Sequence, residues 1–240
     1  MMNACQRRSP ENTEAPVPSH HSWSALLQQH VGDMGKVDYM GFIGDKAALE
    51  AYLDLLSGHP PDPKSWSREE QLAYWINAYN AFTVKLIIDH YPIKSITDLH
   101  PRFRIPMINT IWHRRFFRIG GQRFSLDRIE HKILRREFDE PRIHFGINCA
   151  SYSCPPLRNE AYVPERINGQ LDDQARIFIN NEIWNIIKND EAKISPIFKW
   201  FQSDFTKKTS LISYLNRYSD NRLESDANIS YMDYDWRLNE

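Results

Sequence analysis

Two cysteines, Cys149 and Cys154, stand with four residues between them in the stretch Asp139–Leu157, DEPRIHFGINCASYSCPPL. His144 lies just before them and Pro155-Pro156 just after. In cysteine chemistry the thiolate attacks, a nearby imidazole takes or holds the proton, and an amide orients the ring. Cys149 and Cys154 are therefore candidate nucleophiles, and His131 and His144 are candidate bases. Asn77, Asn80 and Asn148 are candidate orienting groups or oxyanion donors. Two other chemistries compete. His131, His144, Cys149 and Cys154 make a two-histidine, two-cysteine set of the kind zinc takes. Their H-x12-H and C-x4-C spacings, however, stand in the reverse order to a zinc finger. The plain alternative is a disulfide or two inert buried thiols, because free cysteine behaves as a small hydrophobe. No metal and no cofactor is assigned from the sequence.

The elements around this cluster must position it. The apolar run Ile143–Ile147 predicts a strand that delivers side chains to a loop. Alternation then puts Ile143, Phe145 and Ile147 on one face and Arg142, His144 and Asn148 on the other. Cys149 has the wrong parity to stand beside His144, so such a pair requires a turn near Asn148. Upstream, Ser125 can cap a helix whose inward face is Leu126, Ile129, Ile133 and Leu134. Glu130 falls in that apolar sector and must be paired or protonated there. Arg102, Arg104, Arg142 and Arg158 are its candidate partners. His131 sits at the edge of the sector. Lys85 and Arg135 read as ordinary helix-face charges. The histidines at 20, 21, 30, 59, 90, 100 and 113 read as surface or capping residues.

The clearest helix starts at Ser67. Ser67 and Glu70 fit a capping box, and Leu72, Trp75, Ile76, Tyr79, Phe82, Thr83, Leu86 and Ile87 recur at helical spacing. Asn77 and Asn80 lie on its flank; two such poor helix formers suggest either paired amide hydrogen bonds to a neighbouring loop or solvated, locally bonded amides. Short helices are expected over 23–31, 45–56 and 209–218, and a longer one over 165–187. Lys36–Phe42 reads as extended or irregular. The run Arg114–Ser125, RRFFRIGGQRFS, predicts a hairpin, since Gly120-Gly121 supplies positive φ at both turn positions. Strands are expected at 192–195 and 228–236. The sum is an α+β, mostly helical single domain with a small sheet, over residues 23–240.

Residues 1–22 read as a polar tail that cannot offset its own ordering entropy. Cys5, after Ala4 and before a polar linker, also fits a lipid-anchored exported protein whose start lies further upstream; otherwise the chain is cytoplasmic. The 240 residues are 41% hydrophobic, enough for a sizeable core. Thirty basic and 31 acidic residues argue against a nucleic-acid partner. No apolar run is long enough to be a transmembrane segment.

Four stretches, YWINAYNAFTVKLI (74–87), FSLDRIEHKILRREF (124–138), DEPRIHFGINCASYSCPPLRNEAY (139–162) and YMDYDWRLN (231–239), together resemble the family catalogued as domain of unknown function 547. The family has bacterial and plant members, some of them exported, and no assigned activity. Carried onto this sequence, its motif marks Asn77, Asn80, Glu130, His131, His144, Asn148, Cys149, Ser151, Cys154 and Pro155. Two functions follow as expectations. One is a thiol-dependent hydrolase or acyl transferase using Cys149, His131, His144, Cys154, Asn148 and Glu130, with Asn77, Asn80, Ser151 and Arg142 binding. The other is a non-catalytic module for a small molecule or peptide, with structural cysteines and anion-contacting arginines at 102, 104, 114, 115, 118 and 123.

Overall fold

The computed structural model describes residues 16–103 and 109–240, so Cys5 and Arg104 lie outside the described residues. The described residues are mostly helical, with one two-stranded and one three-stranded sheet among them. Helix α1 (His21–His30) packs on α2 (Tyr39–Gly44) and α3 (Lys46–Gly58), and α2 and α3 pack on α4 (Arg68–Ile88). The expected extended stretch at 36–42 is thus partly helical, because Asp38 accepts from the Gly41 N–H and caps α2. The capping box of α4 is formed: Ser67 accepts from Glu70 N, and Glu70 accepts from Ser67 N at 2.6 Å. Sixteen of the 21 residues of α4 are buried. It is therefore a central helix packed on all sides, not one with a single apolar stripe.

The hairpin pairs β1 (Phe117–Ile119) with β2 (Gln122–Phe124), and Gly120 and Gly121 have φ of +56° and +75°. Phe117 stacks on Phe82 and Phe124 on Trp75, so the hairpin is clamped to α4. Next comes a wide π-type helix, Arg128–Leu134, which runs on into α5 (Arg135–Glu137).

The predicted strand at 143–147 is a single helical turn, α6 (Ile143–Gly146), closed by Ile147 N–H to Ile143 C=O at 3.0 Å. Two apolar clusters explain why. Ile143 and Ile147 pack in the cluster built on α4, whereas Phe145 packs in a second one with Phe178, Phe198 and Phe205. A helix puts residues i and i+4 on one side and i+2 on the other, while a strand would have sent all three to one face. An apolar run this short does not reveal its period.

The second cluster comprises the end of α7 (Ile167–Ile179) and the elements after it: β3 (Ile186–Ile187), β4 (Glu191–Ile194), α8 (Ile197–Trp200), α9 (Gln202–Phe205), α10 (Leu211–Asn216) and β5 (Asn228–Tyr231). β4 pairs antiparallel with β3 and parallel with β5. The helix expected to reach residue 187 ends at Ile179, and the last strand stops at Tyr231. Residues 235–238 instead lie across the thiol loop, with backbone bonds from Tyr152 to Arg237 and from Ser153 to Asp235. No helix among the described residues is long and apolar enough to cross a membrane.

Two histidines read as surface groups are buried. His20 bonds the Tyr52 hydroxyl at 2.8 Å, and His30 bonds Asp45 at 2.7 Å. Burial lowers the His20 pKa to about 4. Its neutral form therefore supports the fold fully above about pH 6.5, and that support is lost as pH falls toward 4.

Asn77 donates to Tyr162 C=O at 2.8 Å and accepts from Tyr162 N–H at 3.0 Å. Truncation strands both backbone groups in the core. Asn77→Ala should cost about 2–4 kcal/mol in urea unfolding. Asn77→Asp should be at least as harmful, because a carboxylate cannot donate to the carbonyl.

Candidate active site

Asn80 lies one turn further along α4. It donates to Gly146 C=O at 2.9 Å and accepts from Asn148 N–H at 2.8 Å, which fixes the exit of α6. Asn148 then braces the loop it opens. Its amide donates to Pro155 C=O at 2.7 Å, and its oxygen accepts from Ala150 N–H at 2.8 Å and from Asn239. Ala150 is held at φ +63°, a left-handed conformation that costs a non-glycine residue about 1 kcal/mol or more. The result is a tight loop, 148–155, with Cys149 at its start and Cys154 beneath it. Asn77, Asn80 and Asn148 are thus spent on backbone.

Cys149 and Cys154 are free thiols. Cys149 is half-buried and Cys154 is buried. Cys149 N–H donates to Cys154 Sγ at 3.0 Å, while Ser151 Oγ and Tyr234 OH lie 3.1 and 3.4 Å from Cys149 Sγ. The Cys154 thiol and the two hydroxyls favour the thiolate. They outweigh burial and bring the Cys149 pKa down to about 6. Burial and the neighbouring Cys149 charge push Cys154 up instead. Cys149 is therefore the more acidic thiol of the pair.

Cys149 faces a cleft of about 560 Å³. One wall is aromatic: Trp112, Trp200, Phe201, Tyr234 and Trp236. The other is polar and comes from the π-type helix. Asp127, His131 and Arg135 recur every four residues along it. Arg135 donates to His131 Nδ1 at 2.9 Å, which leaves the His131 proton on Nε2, 3.7 Å from Asp127. His113 Nε2 approaches Asp127 from the other side at 3.3 Å. Arg135 also grips Asp204 through Nε and Nη2, at 2.6 and 3.0 Å. His144 Nε2 meets the same carboxylate at 2.8 Å, with its ring stacked on Phe201. Burial alone would raise the Asp204 pKa, but the bonds from His144 and Arg135 hold it well below the usual carboxylate range. Burial keeps His131 and His144 below the ordinary histidine value.

Glu130 also lines the cleft and accepts from Tyr79 OH at 3.3 Å. Two of its expected arginine partners are engaged elsewhere. Arg142 binds Glu140 and Asp172, and Arg158 binds Glu160 and Asp173. Desolvation, with the nearby Cys149 charge, raises the Glu130 pKa to about 7 against the pull of Arg135.

Of the residues singled out by sequence, Glu130, His131, His144, Cys149, Cys154 and Pro155 share the cleft. Ser151 stands behind Cys149, and Asn77, Asn80, Asn148 and Arg142 do not line it. Neither histidine is hydrogen-bonded to Cys149. Among the described residues no group of three His, Cys, Asp or Glu could hold a metal ion, so the zinc reading of this set is not supported. Arg114, Arg115, Arg118 and Arg123 line a separate hollow on the hairpin.

Arg135, read as a simple surface charge, and His113, read as scattered, are cleft residues. Tyr79, Asp204 and Tyr234 were missed. The four-residue spacing of Asp127, His131 and Arg135 was a usable signal, and so was the alternation of Tyr234 with Trp236. Asp204 offered none.

These features define a mostly helical α+β protein with a free thiol pair at the base of an aromatic-walled cleft. Residues 63–179 are a DUF547 domain, matching the family model described as "Protein of unknown function, DUF547". That span carries α4, the π-type helix and the thiol loop, while Trp200, Asp204, Tyr234 and Trp236 lie beyond it. The comparisons with curated proteins and with solved structures returned no match.

Raising the Glu130 pKa from 4.5 to about 7 makes its ionised form a burden on the fold. The burden is absent below about pH 4.5, grows as pH rises and is complete above about pH 7. Glu130→Gln should therefore stabilise the protein at about pH 8, by up to about 3 kcal/mol less solvent screening, and give no gain at about pH 4. Thermal melts at the two pH values check this.

Proposed function

We propose that this protein is a thiol-dependent acyl hydrolase or transferase, with Cys149 as nucleophile and Glu130 as its proton carrier. The observation that carries the reading is the polar surround of Cys149 Sγ at the edge of the cleft: the Cys154 thiol beside it, and the Ser151 and Tyr234 hydroxyls at 3.1 and 3.4 Å, themselves joined at 2.8 Å. They support a thiolate without an imidazole. With the Cys149 pKa near 6 and that of Glu130 near 7, a thiolate and a neutral carboxyl coexist close to neutral pH. Opposite perturbation of two neighbouring groups is how a site assigns its nucleophile and its acid.

In this mechanism the Cys149 thiolate attacks a carbonyl carbon to form a C–S bond and a tetrahedral oxyanion. Collapse breaks the bond to the leaving group, which takes a proton from Glu130. Glu130, now ionised, accepts a proton from water or a second acceptor as that group attacks the thioester. Expulsion of Cys149 restores the thiolate. His131 and His144 act through position: His131 orders Arg135, and both Arg135 and His144 hold Asp204 in the wall.

The non-catalytic reading keeps one supporting observation. The polar wall is satisfied internally, because His113, His131, Arg135 and His144 all engage Asp127 or Asp204.

With p-nitrophenyl acetate the intact protein should release a burst of one p-nitrophenolate per chain and carry one acetyl group on Cys149. Cys149→Ser should abolish the burst. Glu130→Gln should slow deacylation by about 10²-fold or more. Acetylation confined to lysines, or a burst retained in Cys149→Ser, contradicts the reading.

A further inference from the structure

The aromatic wall is larger than a nucleophile alone requires. Trp200 and Trp236 lie 6.0 Å apart with planes only 18° from parallel, and Trp112 packs on the far side of Trp236 at 5.8 Å. Tyr234 joins this wall to the reacting atom. Its ring lies 4.4 Å from Trp236 and 4.8 Å from Trp200, and its hydroxyl is 3.4 Å from Cys149 Sγ. Trp200 keeps 49% of its surface exposed, an expensive position for the largest apolar side chain. The opposite wall has little left to offer a ligand. Arg135 is the only fixed cation among the described residues that line the cleft, and Asp204 already occupies it in a two-point bond. Asp127 and Glu130 face the same space. Among the described residues an anionic substrate would thus meet carboxylates and no free cation, and a polyhydroxylated one would find the polar groups engaged with each other. A flat apolar group would find several ring faces, which favour offset stacking over contact with a flexible alkyl chain.

We infer that the cleft accepts an uncharged aromatic acyl group, laid against Trp112, Trp200 and Trp236 with its carbonyl at Cys149. The inference rests on Cys149 as the acceptor of that acyl group. The acyl carbon bonds to Cys149 Sγ, the C–S bond of the donor thioester breaks, and its sulfur leaves as a thiolate that takes a proton from Glu130.

The test compares N-acetylcysteamine thioesters of benzoate, phenylacetate, acetate and succinate. Acylation of Cys149 is followed by intact mass, and each rate is divided by that of free N-acetylcysteine to remove intrinsic reactivity. The benzoyl or phenylacetyl ratio should exceed the acetyl ratio by about tenfold, with succinyl lowest. Trp200→Ala, at an exposed position that leaves the core intact, should bring the aryl-to-acetyl preference close to one. A second arm needs no reaction. In the Cys149→Ser protein, benzamide should quench tryptophan fluorescence saturably and benzoate should not. Acylation without aryl preference, fastest acylation by succinate, or a preference unchanged in Trp200→Ala overturns this inference and leaves the nucleophile assignment standing. Saturable benzamide binding with no acylation by any thioester overturns the nucleophile assignment instead. Absence of saturable benzamide quenching overturns the aryl pocket whatever the thioesters do.

Discussion

The structure depends on what the amide of Asn80 does at the middle of α4. It gives one hydrogen bond to Gly146 and takes one from Asn148, both backbone groups buried in the chain that follows α6. Without that amide, two peptide groups next to the thiol loop would lie in the core unpaired, at about 1–3 kcal/mol each. Asn148, so fixed, spans the loop to Pro155 and holds Ala150 in its left-handed conformation. Asn239 continues the chain of amides, and Tyr39 anchors Asn239 at 2.7 Å. A loop of eight residues is thus tied to the central helix by side-chain amides, and to the C-terminal segment by Asn239 together with the backbone bonds of Tyr152 and Ser153.

This rigidity bears directly on the chemistry. The groups around Cys149 come from two places far apart in the chain: Cys154, which accepts from Cys149 N–H, and Ser151 from the loop itself, and Tyr234 from the segment laid over it. A thiolate is stabilised in a low-dielectric site only when such groups are already in place. The cleft that receives the thiolate lies between the two apolar clusters, and α6 is the turn that touches both. Phe145 commits it to one cluster, and Ile143 and Ile147 commit it to the other. His144, on the same turn, is aimed at Asp204 of α9, so one short element sets the thiol loop and also ties the two walls together.

Local features were legible in the sequence. The capping box of Ser67 and Glu70, the Gly120-Gly121 hairpin and the half-buried place of Glu130 on the inward side of its helix each follow from residues close along the chain. What failed depended on distant packing. The turn at 143–147 was read as a strand because its division between two clusters is invisible in five apolar residues. Asp204 lies 60 residues from His144 and Tyr234 lies 85 from Cys149, and no local pattern announces either pairing. The pairing of Glu130 with Tyr79 was obscured for another reason: Tyr79 sits among apolar helix residues, and its hydroxyl is silent in a hydrophobicity pattern.

The most direct measurement is the pH dependence of Cys149 alkylation by iodoacetamide in the native protein, read peptide by peptide by mass spectrometry. The account predicts that Cys149 alone reacts, with a midpoint near 6, well below the value of about 8.5 for a free thiol, while Cys154 stays protected. A Cys149 midpoint at or above 8.5, or Cys154 reacting first, would contradict it and leave the loop with a structural role.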